Sequence, residues 1–134
     1  QTEAVINLWV NSTAITRKID LTLSGIHGIG FSEYMVLFHL MNAPNKTLRR
    51  IDLVDALSRP ASGVTRMLLP MEKIGLVEKE VNPRDARVSL VKISGTGEEL
   101  FKNASVTLDE KSQQIFKRVE DKNIGHILKL FEAL

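Results

Sequence analysis

The stretch Ala56–Leu100, ALSRPASGVTRMLLPMEKIGLVEKEVNPRDARVSLVKISGTGEEL, decides the fold. In its first half Val64, Met67, Leu68, Met71 and Ile74 recur three or four residues apart, the spacing of one buried helical face. Pro60 or Ala61 suits the first turn of that helix, and Gly75 suits its end. Ser62, Gly63, Thr65, Arg66, Leu69 and Lys73 fall off the apolar stripe or on its edge, so the outward face is short-chained and basic at its beginning. Pro70 lies inside the helix, where it removes one backbone hydrogen bond and is expected to kink or loosen the second half. After Gly75 the period changes. Leu76–Val81 and Arg87–Ile93 read as two strands joined by a turn over Asn82–Ala86, with Val88, Leu90 and Ile93 on one side and Val91 pointing the other way. Arg84, Asp85 and Arg87 gather at the hairpin tip, where nothing can bury them.

Upstream, a short helix fits Arg49–Leu57, with Thr47 as its cap and Ile51, Leu53, Val54 and Leu57 inward. Before it, Ser32 followed by Glu33 looks like a helix start, and Val36, Leu37, Leu40 and Met41 form an apolar stripe up to Asn42–Asn45. The first segment, about Glu3 to Gly25, carries Val5, Leu8, Trp9, Ile15, Ile19 and Leu23 near helical spacing. Downstream, Ser94 or Thr96 is placed to cap a helix bearing Leu100, Phe101 and Ala104 and running to about Val119. A last helix from about Asp121 to Leu134 repeats Ile124, Ile127, Leu128, Phe131 and Leu134. The expected class is mainly α with a small β-hairpin, in the order four helices, hairpin, two helices.

A chain of 134 residues, 43% hydrophobic and 25% charged, fits one domain with a buried core. It has no cysteine, which excludes disulfides, thiolate nucleophiles and cysteine-ligated metal centres. No run approaches a membrane span, and the first residues lack the pattern of a secretory signal, so the expected location is cytoplasmic. The chain opens on Gln1, and a few preceding residues are expected to be missing or removed. The net charge of +2 is unevenly spread: Lys46–Lys92 holds ten Lys and Arg against six Asp and Glu, while the flanks are net acidic. A basic middle between acidic flanks is the footprint of a polyanion-binding module on a separate scaffold.

Two short helices, the second presenting small and basic side chains at its start, match the geometry with which a helix enters the DNA major groove. A hairpin directly behind them would flank the same groove. The quoted run resembles the MarR family of bacterial winged-helix transcription regulators, specifically over residues 48–100 and more loosely over the whole chain through helix order and length. The elements that carry the resemblance are Val64-Thr65-Arg66 in the recognition helix, Met71-Glu72-Lys73-Ile74-Gly75-Leu76-Val77 at its exit, Asp85-Ala86-Arg87 in the wing, and Ile93-Ser94 with Gly97 behind it. Arg59, Pro70 and Ser94 depart from the usual family pattern.

The resemblance implies a winged helix-turn-helix DNA-binding lobe over residues 32–100, with dimerisation helices at 1–25 and 105–134 of a single domain spanning 1–134. It implies that Arg87 reaches the minor groove or a phosphate while Asp85 orients it, and that Arg84 adds a phosphate contact. In the recognition helix the residues expected at DNA are Ser62, Gly63, Thr65 and Arg66. Arg66 can pair with guanine or hold a phosphate, Thr65 can bond a phosphate or touch a thymine methyl, and Gly63 permits close backbone approach. Lys46, Thr47, Arg49 and Arg50 can clamp phosphate, or form a merely solvated charge cluster.

A single such unit reads few base pairs, so a homodimer on double-stranded DNA with a pseudo-palindromic operator is expected, acting as a repressor. Family members often bind small aromatic or phenolic acids between the two regions. Arg17, His27, Tyr34, Phe38 and His39 are the candidates for lining such an effector site, although each also suits ordinary packing or surface. His27, His39 and His126 match no metal-ligand spacing, and no cofactor is expected. No phosphate-binding loop, dinucleotide fingerprint or nucleophile elbow is present, which argues against an enzyme. The alternative from another class is a winged-helix protein-interaction module using the same faces.

Overall fold

The computed structural model describes residues 1–134. Helix α1 (Thr2–His27) ends on Gly28, whose left-handed φ of 73° lets its N–H reach the Ser24 carbonyl. Helix α2 (Phe31–Met41) begins one residue before Ser32, and its opening amide is met from α1, where Asp20 Oδ1 accepts from Phe31 N at 2.9 Å. Ser32 is thus not the cap; its hydroxyl faces Arg59.

Strand β1 (Thr47–Arg49) precedes α3 (Arg50–Leu57), so the expected capping role of Thr47 is wrong. Thr47 pairs with Lys92 in the sheet, and its hydroxyl donates to the Asn45 carbonyl. The cap at α3 runs backwards instead, with the Asp52 carboxylate accepting from Arg49 N at 3.0 Å. Leu53 is buried in the core, but Ile51 turns outward.

Helix α4 (Ala61–Lys73) continues through Pro70 to the Ile74 cap, contrary to the expected loosening. Pro70 sits on the exposed side, where the carbonyl it deprives of a partner can turn to water. Val64, Leu68 and Met71 are buried, while Ile74 lies past the last turn and is exposed. Gly75 then takes φ 79° to redirect the chain into the hairpin.

The hairpin consists of β2 (Val77–Asn82) and β3 (Asp85–Ile93). Asn82 pairs with Asp85, so the loop is only Pro83-Arg84, tighter than the expected Asn82–Ala86 turn. Val91 and Ile93 are both buried, which corrects the expected facing. A strand alternates every residue, so positions 91 and 93 must share a face, and the half-buried Leu90 lies on the other. Strand order is β1-β3-β2, fully antiparallel, and β2 therefore forms one outer edge with Glu78, Lys79, Glu80 and Val81 exposed.

Helix α5 (Gly95–Ile115) starts on Ser94, whose hydroxyl accepts from Gly97 N at 3.0 Å and donates to the Gly75 carbonyl. Ser94 N also donates to the Leu76 carbonyl at 3.0 Å. The start of α5 is thereby fastened to the exit of α4, and a Cβ at Gly97 would collide with the Leu76 carbonyl oxygen. α5 stops at Ile115, short of Val119, and α6 (Asp121–Glu132) follows.

Sixteen apolar side chains make one core, drawn mainly from α2, α4 and the sheet, with Ile19 and Leu23 from α1 and Ala104 from α5. The amino-terminal half of α1 and all of α6 stay outside it. Val5, Ile6, Leu8, Trp9 and Val10 are exposed, as are Leu128, Leu130 and Phe131. Between the two helices lies an apolar groove of about 430 Å³ lined by Leu8, Ile15, Phe116, Ile127, Leu130 and Phe131. No helix is long and apolar enough to cross a membrane.

Candidate nucleic-acid interface

The buried stripe of α4 dictates what its other face presents. Ser62 and Arg66 are exposed, and Gly63 and Thr65 are half-buried. A Cβ at Gly63 would meet only Pro60 Cδ, at 4.0 Å, so packing within the chain does not demand a glycine there. Thr65 is engaged: its Oγ1 accepts from Arg50 Nη1 at 2.9 Å, joining α3 to α4.

The neighbouring basic residues are less free than their spacing suggests. Arg49 pairs with Asp52 through Nε at 3.1 Å and Nη2 at 2.8 Å. Donating to Asp52 raises the Arg49 pKa, and accepting from Arg49 holds the Asp52 carboxyl below its usual range. Lys46 reaches across to Glu98 at the start of α5, 2.7 Å away, and lowers the pKa of that carboxyl. Arg50 and Arg49 sit side by side, yet one is turned to Thr65 and the other to an acid.

At the wing the backbone is organised by side chains. Asn82 Oδ1 accepts from Arg84 N at 2.9 Å, and Asp85 Oδ1 accepts from Arg87 N at 3.0 Å. Asp85 also takes Arg87 Nε at 3.1 Å and Nη2 at 3.3 Å, and this contact keeps its carboxyl below the ordinary range. The Arg87 side chain is nevertheless 91% exposed. Asp85 and Arg87 are thus brought together as expected, with the guanidinium oriented and its outer edge open to solvent. Arg84 stands beside them on the exposed two-residue loop.

The five candidate effector residues do not line one site. Tyr34 is buried, bonds to Ser105 Oγ at 2.8 Å and stacks on Phe101 with ring centroids 5.1 Å apart. His27 Nε2 pairs with Thr107 Oγ1 at 2.7 Å, so both residues face α5. Phe38 is partly exposed, edge-on to His39. Arg17 instead lines an open polar cleft with Thr13, Asp20, Ser32 and Arg59, and His39 lines an adjoining cleft of about 230 Å³ with Met35, Leu57 and Arg59. Arg59, which donates to Ser32 Oγ at 2.6 Å, borders both clefts and was absent from the sequence-based set. Its partner is 27 residues away, a separation that no local pattern reveals.

Residues 27–88 match the model of the MarR family. No curated protein matches the sequence. Among solved structures, a MarR family transcriptional regulator from Rhodococcus sp. RHA1 superposes with a TM-score of 0.90 at 15% identity, over 98% of this chain and 91% of that one. A MarR family regulator from Streptomyces coelicolor, solved in complex with DNA, gives 0.84 at 21% identity over 97% and 84%. A mutant MarR from E. coli complexed with operator DNA gives 0.80 at 22% identity over 97% and 94%. At these identities the structural likeness is one of fold. With the match across residues 27–88, this chain is similar to the MarR family in the middle of its sequence and in its fold throughout.

Proposed function

We propose that the chain is a DNA-binding transcription regulator that works as a homodimer on a pseudo-palindromic operator and represses by occlusion. The observation that carries this reading is the wing: Arg87 is held by Asp85 at both backbone and side chain, yet its guanidinium is open to solvent. Such a group is preorganised for a phosphate or a minor groove. The outward face of α4, with Ser62, Gly63 and Arg66, supplies the element for the major groove. Two proteins of the same fold were solved with DNA, one of them with operator DNA. In this reading residues 32–100 form the DNA-binding lobe and 1–25 with 105–134 the dimerisation helices, whose uncovered apolar faces suit a second copy.

An effector, if aromatic and acidic, fits the paired clefts around Arg17, Arg59 and His39 better than the Tyr34 side of α2, because only the former is open and cationic. Binding to fragments of the protein's own upstream region at two salt concentrations, with and without salicylate-like acids, tests the proposal. Specific binding that weakens steeply with salt supports it, since phosphate contacts release counterions. No specific binding to any fragment, from a folded dimer, would turn the assignment towards a distant operator or a protein partner.

A further inference from the structure

One hydrogen bond ties α3 to the outward face of α4, and chemistry fixes its direction. Arg50 Nη1 lies 2.9 Å from Thr65 Oγ1. A guanidinium has only donors, so the threonine oxygen accepts and its own proton points elsewhere. Four other helical hydroxyls, on Thr13, Thr22, Ser105 and Ser112, return their protons to the carbonyl four residues earlier at 2.7 to 2.9 Å. Thr65 is bonded to Arg50 instead, on the helix that presents Ser62 and Arg66 to solvent. Arg50 in turn has no carboxylate within ion-pair distance, whereas Arg49 beside it is paired with Asp52.

Resting on the DNA-binding reading, we propose that Arg50 is a positioning residue that holds Thr65 as a hydrogen-bond donor toward DNA. Thr65 then matches an acceptor, either a phosphate oxygen or a base-edge acceptor such as purine N7, guanine O6 or thymine O4. Its proton cannot serve the amino groups of adenine and cytosine, which are donors and would share the hydroxyl lone pairs with Arg50. Arg50 itself is thereby removed from the set of phosphate clamps and acts through its neighbour.

A double-mutant cycle tests this, using as probe the duplex that the wild-type protein enriches from a random-sequence DNA library. Arg50→Met and Thr65→Val should each weaken binding by roughly five- to tenfold, the size of one net hydrogen bond. The double variant should bind no worse than either single one, and the salt dependence should stay that of wild type. Arg50→Gln, which keeps a donor, should retain most of the affinity and guards against a variant that fails to fold. Additive losses, with a salt slope shallower by about one phosphate contact in Arg50→Met, would overturn the proposal and return Arg50 to phosphate. An unaffected Thr65→Val would overturn it as well. Repeating the selection with Thr65→Val separates the two acceptors: a changed base preference at one position supports a base edge, and uniformly weaker binding supports a phosphate oxygen. A wild-type protein that enriches no duplex would mark failure of the DNA reading itself, which the variants alone cannot produce.

Discussion

At the hairpin tip Asp85 does two jobs at once, closing the turn on Arg87 N and steering the Arg87 guanidinium. Replacing Arg87 with Ala should weaken binding to any duplex, and the slope of log affinity against log salt should flatten by about 0.9. Titration at several salt concentrations checks this, and an unchanged slope would remove Arg87 from the phosphate contacts. Asp52, Asp85 and Glu98 form a related set, each with its pKa lowered first of all by a hydrogen bond from Arg49, Arg87 or Lys46. A carboxyl depressed in the folded state adds stability above its unfolded value and loses it as pH falls through the folded one. The urea midpoint should therefore hold steady from neutral pH to the ordinary carboxylate values of 3.8 and 4.5 and fall below them. The double variant Asp52→Asn, Glu98→Gln should show a shallower acid decline; an identical decline would locate it elsewhere. The Asp85-Arg87 pair was legible in sequence because its partners lie two residues apart. Arg50 with Thr65 and Arg59 with Ser32 were not, because tertiary folding alone makes them neighbours.

Elements with a long apolar repeat were easy to read, and those made by a neighbour were not. The buried stripe of α4 follows its helical spacing, whereas the three residues of β1 have no pattern of their own and are a strand only because β3 offers Leu90–Lys92 as a free edge. The same dependence explains Thr47, a good cap by type that the sheet claims first. Pro70 was misjudged for a different reason: a helix proline costs least where the orphaned carbonyl meets water, and its exposed position provides that. The junction between α4 and α5 is the least tolerant joint between elements. Gly97→Ala should destabilise the protein by about 1–3 kcal/mol, since the new methyl meets the Leu76 carbonyl and the Ile93 side chain. Ser94→Ala should cost about 1 kcal/mol through the lost cap, while Ser94→Thr keeps both hydroxyl bonds. Chemical denaturation of the three variants checks the order, and a neutral Gly97→Ala would show that α5 can slide away from the hairpin.

At the scale of the whole molecule the terminal helices dominate. Their apolar periodicity was visible in sequence, but only the structure separates the part of α1 that serves the core, at Ile19 and Leu23, from the part left uncovered around Trp9. Sedimentation at micromolar concentration should give a dimer, and Phe131→Asp should shift it towards monomer and lower the thermal midpoint, which in the wild type should rise with protein concentration. A monomeric wild type would leave those faces without the proposed partner. The edge strand β2 has a consequence of another kind. Its outer side carries unpaired backbone groups, a template on which other chains could add and grow into fibrils. Glu78, Lys79 and Glu80 put charge of alternating sign along that strand, all of it exposed. These three side chains act as gatekeepers against aggregation, and a variant chosen only for tighter DNA binding that made them neutral would trade solubility for affinity.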